Sequence, residues 1–159
     1  MAIKSFVEQG LACGEVIAIV SLNIQGAFHA AWWPGILKER RECKCPKNIY
    51  EIAKSYFNQR TAVMATNTLR IEKDISRGCP QGSCSGPGMW NLQYNSLFQI
   101  KYMDITKVVA FADDLIMATR GRSMKAVENY VNAELSKINE WTKNKKRFND
   151  KKSKVMLVS

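Results

Sequence analysis

"VVAFADDLIMAT", residues 108–119, is an apolar stretch broken by two adjacent carboxylates, Asp113 and Asp114. The Val, Ile and Phe residues on either side are strand formers that favour burial. Two neighbouring negative charges in such surroundings cost more than the strand gains unless something neutralises them. One solution is bland: Asp is a favoured turn residue, and a solvated pair at a hairpin tip needs no partner. The other is a divalent cation. Mg²⁺ prefers oxygen ligands and accepts a few carboxylates together with substrate phosphates, and paired metals clamp the attacking and leaving oxygens in phosphoryl transfer. What stands opposite Asp113 and Asp114 decides between the two.

Composition narrows the classes. With 159 residues, 46% of them hydrophobic, the chain is long enough to bury a core as one domain and too apolar to be disordered. The longest apolar run, "VIAIVSL" (16–22), is far too short to span a bilayer. "MAIKSFVEQGLACGE" lacks the apolar segment and small-residue cleavage site of a secretory leader, so an intracellular protein is expected. Five cysteines, an odd number, with only a C-x-C at Cys43 and Cys45 and a single histidine, His29, argue against a structural zinc site. Reduced thiols acting as small apolar fillers are the expected role. The net charge of +10 is concentrated in "KERRECKCPK" (38–47) and "KNKKRFNDKKSK" (143–154), which favours a polyanionic partner. An anionic membrane surface is the weaker choice, because neither basic run has an aromatic-rich opposite face.

Periodicity orders the elements. "IKSFVEQGLAC" has helical spacing and should end near Gly14, and "EVIAIVSL" (15–22) reads as a central strand. After "GAF", a helix is expected through "HAAWWPGILKERREC", with Trp32 and Trp33 as core residues. A second helix follows in "PKNIYEIAKSYFNQ", with Pro46 in its first turn. "TAVMATNTLRIEKDI" alternates about Asn67 and predicts a hairpin. A second hairpin, "ITKVVAF" with "LIMAT", places Ala112, Asp113 and Asp114 at its tip. The amphipathic helix "SMKAVENYVNAELSKINEWTKN" and a last strand, "SKVMLVS", whose Met and Leu read as core, complete the chain. The class is α+β, an antiparallel sheet covered by helices on one face.

Between these elements lies "SRGCPQGSCSGPG" (76–88), with four glycines and two prolines in thirteen residues. Such a segment is a shaped loop rather than regular structure. Its small and kinked residues allow backbone to approach a ligand closely, and Gln81 offers both donor and acceptor. An ordinary surface loop is the alternative. The arginine at its head, the helix start behind it and the basic chain favour a role in holding phosphate or a base-paired strand.

"RGCPQGSCSGPGMWN" followed by "FADDLIM" resembles the reverse transcriptase domain of non-LTR (LINE-type) retrotransposons. "LNIQGAFHAAWWPGIL", "PKNIYEIAKSYFNQR" and "FNDKKSKVML" resemble three further blocks of that family in the same order, nearest to the insect ribosomal-DNA-inserting type. The resemblance implies a polymerase palm with part of the fingers over residues 1–159, acting as an RNA-directed DNA polymerase on an RNA template, a DNA primer and dNTPs. It implies two Mg²⁺ ions, with Mn²⁺ as a substitute, held by Asp113, Asp114 and the residue ending the first palm strand, which here is Asn23. It further implies Phe28 as the aromatic gate beneath the incoming sugar, and Gln81, Arg77 and Gly82 lining the nucleotide and template pocket. Lys152 falls where the family carries a lysine able to act as general acid toward the leaving pyrophosphate.

Asn23 is the departure that matters, because the family pattern reads Asp there. A unit charge about 4 Å from a divalent cation is worth on the order of 8 kcal/mol at an effective dielectric of ~20. A quarter of that exceeds a tenfold change in rate, so polymerisation should be severely impaired. His29 also stands where an acidic residue is usual, and it is too isolated to be read as a ligand or base. The resemblance further implies a fragment without thumb, endonuclease or RNase H segments, and a nuclear location if the polymerase is active. The competing readings are an impaired polymerase, a catalytically dead relic that binds nucleic acid, and an unrelated basic binding module. The last is favoured if Asn23 and Asp113 lie far apart; the first two require them side by side on adjacent strands.

Overall fold

A computed structural model describes residues 2–24, 28–29, 31–79, 82–143 and 152–159. In chain order the elements are α1 (Ala2–Ala12), β1 (Val16–Asn23), α2 (Trp33–Glu42), α3 (Lys47–Phe57), β2 (Thr61–Ala65), β3 (Arg70–Asp74), α4 (Gly86–Phe98), β4 (Thr106–Phe111), β5 (Asp114–Gly121), α5 (Met124–Lys143) and β6 (Lys154–Val158). They form two compact units, one of Met1–Gln25 with Leu97–Ser159 and one of Gly26–Ser96.

The first unit is built on a four-stranded antiparallel sheet in the order β4-β5-β1-β6. The pairs Ala18↔Thr119, Val20↔Met117 and Leu22↔Leu115 put six buried side chains on one face. α5 covers that face. Its buried Val127, Val131, Glu134 and Ile138 recur at the spacing of one helical stripe, and Val127 and Tyr130 pack so closely on Gly121 that a Cβ there would meet Val127 at 3.0 Å. Fully burying each aliphatic side chain contributes about 1.5–3 kcal/mol, so Leu115→Ala is expected to lose about 2–5 kcal/mol in urea unfolding. α1 lies on the opposite face at its far end. Gly10 there packs on Ile17, and the Arg120 guanidinium sits 4.9 Å over the Phe6 ring and 3.5 Å from Glu15.

Glu134 is a charge inside this unit. It is wholly buried, accepts the Met103 N–H at 2.7 Å and lies 3.0 Å from Lys137. Burial and then the nearby Glu134 carboxylate push the Tyr102 phenol upward from its ordinary range. Glu134→Ala leaves the Met103 donor without its acceptor and takes the carboxylate from Lys137, which keeps its bond to the Lys101 carbonyl. The expected loss is about 2–4 kcal/mol, read as a lower urea midpoint with unchanged slope.

In the second unit, Trp33 stacks on Phe57 at 5.0 Å, and Trp90 meets Tyr94 edge-on at 5.1 Å. The hairpin β2–β3 pairs Thr61↔Asp74 through Ala65↔Arg70, with every residue of both strands exposed. α2 begins at Trp33, four residues later than the sequence suggests. Pro34 belongs in a first turn, and Trp32 stays extended and bridges to Arg77. Trp33 is core as expected, but Trp32 is 45% exposed. Pro46 is the residue before α3 rather than in its first turn, and α4 takes up the "GPG" that reads as loop.

Two expectations about burial fail. Val155, Met156 and Leu157 of β6 are exposed, because β6 is an edge strand that pairs only with β1. Of the cysteines, only Cys79 is buried; Cys13, Cys43 and Cys84 are exposed thiols. Among the described residues no helix is long and apolar enough to cross a membrane. Most of the basic run 143–154 lies outside the described residues.

Candidate functional site

The carboxylate hairpin is a tight two-residue turn. Phe111↔Asp114 is its closing pair, and Ala112 and Asp113 are the loop. Ala112 has φ 53°, a left-handed conformation that costs a residue with a Cβ on the order of 1 kcal/mol. The turn is held in this conformation from below by the wholly buried Leu115 and Met117, and from the side by the Ile24 N–H, which donates to the Asp113 carbonyl at 3.0 Å. Backbone strain of this kind concentrates at functional sites.

Asn23 stands opposite the pair. It ends β1 in register with Asp114, and its Nδ2 donates to Asp113 Oδ2 at 3.2 Å and to Asp114 Oδ1 at 2.9 Å. The two polymerase-derived readings require these residues side by side, and they adjoin on neighbouring strands. The surroundings are more open than the apolar flanks suggest. Asp114 is exposed, and Asp113 and Asn23 are half-buried. Hydrophobic flanks anchor the hairpin's legs, while its tip projects beyond the end of the buried layer.

As placed, the donor set does not fit a divalent cation. Such an ion needs lone pairs converging from several oxygens, whereas an amide NH₂ group points its hydrogens at both carboxylates. Asn23 offers its one carbonyl oxygen only if the side-chain amide turns over, and that oxygen carries no full charge. Among the described residues no three His, Cys, Asp or Glu side chains gather into a metal-binding group.

The remaining site residues predicted from the sequence divide between the units. Lys152 is exposed in the first unit, in a turn two residues before β6 begins, and the β1–β6 pairing stops at Ser21↔Lys154. In the second unit, Phe28 stacks on Trp90 at 5.7 Å and its carbonyl accepts the Cys79 N–H at 2.7 Å. Arg77 is exposed and bridges Trp32, and Gly82 has φ 80° at a turn before α4. Gln81 lies outside the described residues. Sequence reasoning missed the Ile24 donor to Asp113, the strained Ala112 and the environment of Arg60. The first two depend on backbone geometry that residue identity does not encode.

The fold is that of polymerases with a palm and fingers. A solved apo telomerase from Candida tropicalis superposes with a TM-score of 0.73 at 16% identity, over 99% of this chain and 34% of that one. A telomerase from Candida albicans, in complex with a fragment of telomeric RNA, gives 0.70 over 97% and 30%. At the sequence level, residues 5–159 match the model of the family Reverse transcriptase (RNA-dependent DNA polymerase), and the chain belongs to that family. It is 35% identical over 139 residues to the Pol polyprotein of the type-1 retrotransposable element R1 of Bradysia coprophila, covering 86% of this chain and 14% of that protein. It is 27% identical over 130 residues to the RNA-directed DNA polymerase of the mobile element jockey of Drosophila melanogaster, covering 77% and 14%. It is thus a reverse transcriptase domain of the kind found in insect non-LTR retrotransposons, and it spans about 14% of the length of these curated relatives.

Proposed function

We propose that this chain is the palm, with part of the fingers, of an RNA-directed DNA polymerase in which Asn23 replaces the first catalytic carboxylate and leaves nucleotidyl transfer severely impaired. The observation that supports this reading most is the meeting of Asn23, Asp113 and Asp114 at one end of two adjacent antiparallel strands, on a strained turn. Asp113 and Asp114 keep two of the three charges such a centre uses, and Lys152 is the residue that the family resemblance casts as proton donor. Template RNA, DNA primer and dNTPs are the partners of the whole polymerase, and its place of action is the nucleus.

A second reading, a relic that binds nucleic acid without copying it, is favoured by the Asn23 amide lodged between the carboxylates, where it blocks rather than merely weakens a cation site. Primer extension by the unsubstituted chain separates the two: weak extension in Mg²⁺ follows from the first reading and none from the second. Under the first reading Asn23→Asp gains extension in Mg²⁺, and adding Asp113→Ala to it removes at least the tenfold that one carboxylate is worth. Extension that survives Asp113→Ala comes from elsewhere and ends the assignment.

A further inference from the structure

The β2–β3 hairpin of the second unit has an open edge that none of the roles above uses. Its strands, five residues each, form a sheet of their own, and every residue of both is exposed. A two-stranded ribbon is marginal in water until another strand or a helix covers it. The hydrogen bonds flanking the ladder show which way its edge groups point. The Ile75 N–H donates to the Arg60 carbonyl at 2.8 Å and the Thr66 N–H to the Leu69 carbonyl at 2.7 Å, both continuing the register of Thr61↔Asp74. Antiparallel pairs alternate between bonded and unbonded. Arg60, Ala62, Met64 and Thr66 therefore bond inward to β3, while the N–H and C=O groups of Thr61, Val63 and Ala65 face outward. Among the described residues these outward groups meet no partner.

Proteins block an open edge with charges, lysine above all. β3 carries Arg70, Glu72, Lys73 and Asp74, and the outer strands of the first unit, β4 and β6, carry Lys107 and Lys154. Among the described residues β2, Thr-Ala-Val-Met-Ala, is the one outer strand without a charged side chain. The segment 61–74 is also neutral, Arg70 and Lys73 balancing Glu72 and Asp74, in a chain of net charge +10. Copies that repel elsewhere meet no repulsion here. The edge is complementary to itself as well. Outward groups have to face outward groups, and antiparallel pairing of β2 with the β2 of a second copy about Val63 achieves this throughout. Val63 then opposes Val63 and Thr61 opposes Ala65, so every outward N–H and C=O finds its counterpart across a twofold axis. On the other face Ala62 stands opposite Met64, small against large, and the Met64↔Ile71 pairs of the two copies join in one apolar patch. The same operation on β3 sets Glu72 against Glu72, and β2 on β3 is a head-to-tail contact that does not close. With β2 on β2 the two Glu72 carboxylates are three strand spacings apart, about 14 Å, and screened.

We propose that the open edge of β2 is a docking strand for a second copy of this chain, joining β2 to β2 in antiparallel register about Val63. A four-stranded sheet in the order β3-β2-β2-β3 then replaces two bare ribbons. The inference uses neither Asn23 nor the carboxylates, so it stands or falls apart from the polymerase reading.

The test is sedimentation velocity on the full chain from about 2 to 200 µM at about 0.15 M salt, where charges more than about 8 Å apart are largely screened. A single strand pair is a small interface, so half-association is expected at about 10–100 µM. Val63→Lys and Val63→Glu each set like charges against one another on the axis and should each weaken association more than tenfold. Val63 is 49% exposed and its backbone groups face away from β3, so neither substitution breaks the hairpin. Mixed in equal amounts the two variants should associate again, because lysine then faces glutamate. In the unsubstituted chain, amide hydrogen exchange of the peptide 60–66 should slow as concentration rises through the same range. A chain that stays monomeric throughout overturns the proposal and gives the edge to an extended segment of another protein. Association of Val63→Lys equal to that of the unsubstituted chain, a mixture that stays monomeric, or association that leaves 60–66 unprotected overturns it equally.

Discussion

Asn23→Asp is expected to raise Mg²⁺-dependent primer extension on an RNA template by more than tenfold over the unsubstituted chain. The substitution changes one atom's identity at the end of β1, where the side chain already faces Asp113 and Asp114 at 3.2 and 2.9 Å. No backbone has to move, because the register Asn23↔Asp114 and the Ile24 N–H bond to Asp113 are main-chain features. What changes is sign. The amide presents hydrogens to the carboxylates; an aspartate presents a third set of lone pairs and another negative charge. Against a divalent cation about 4 Å away that charge is worth on the order of 8 kcal/mol at an effective dielectric of ~20, and a quarter of it already exceeds tenfold in rate. Equal extension by the two proteins contradicts the role assigned to Asn23. Extension by neither puts the silence elsewhere and contradicts it equally.

The second large effect is on stability without metal. Two charge-assisted hydrogen bonds now tie the hairpin tip to β1. In buried sites such bonds are worth about 1.5–3 kcal/mol each; with Asp114 exposed and the other two side chains half-buried, about 2 kcal/mol for the pair is the reasonable figure. Asn23→Asp loses both bonds and adds like-charge repulsion. Its melting temperature in EDTA should therefore fall by about 4–8 °C relative to the unsubstituted chain. Mg²⁺ should recover that loss by binding only the folded form, while the unsubstituted chain stays indifferent to Mg²⁺. Coincident melts in EDTA, or a Mg²⁺ response of equal size in both proteins, would show that the amide is not holding the hairpin.

The carboxylate hairpin was legible because its signal is local. Apolar residues on both sides of "ADD" define two legs, and the only place left for the acids is the tip. β1 was legible for the same reason, and the family pattern pointed to Asn23 at its end. What escaped the sequence is set by which neighbours arrive from far away in the chain. Trp32 and Trp33 are identical in composition, yet a bridge to Arg77 turns Trp32 outward while the Phe57 ring takes Trp33 inward. Val155, Met156 and Leu157 look like any core strand, and only their place at the sheet edge exposes them. Glu134 sits on the apolar stripe of α5, where an acid reads as a misfit until the Met103 N–H is seen to need it. Arg60 reads as one basic residue among many in a chain of net charge +10; the Tyr56 ring beneath its guanidinium sets it apart.

We propose that the Asn23 amide takes the place a cation would otherwise hold between Asp113 and Asp114. Mn²⁺ binding followed by the loss of its free-ion electron paramagnetic resonance signal tests this without requiring the chain to copy anything. Asn23→Asp is expected to bind Mn²⁺ more than tenfold tighter than the unsubstituted chain, and Asn23→Asp/Asp113→Ala to return to the weak level. Equal Mn²⁺ affinity for the unsubstituted and Asn23→Asp proteins would contradict it.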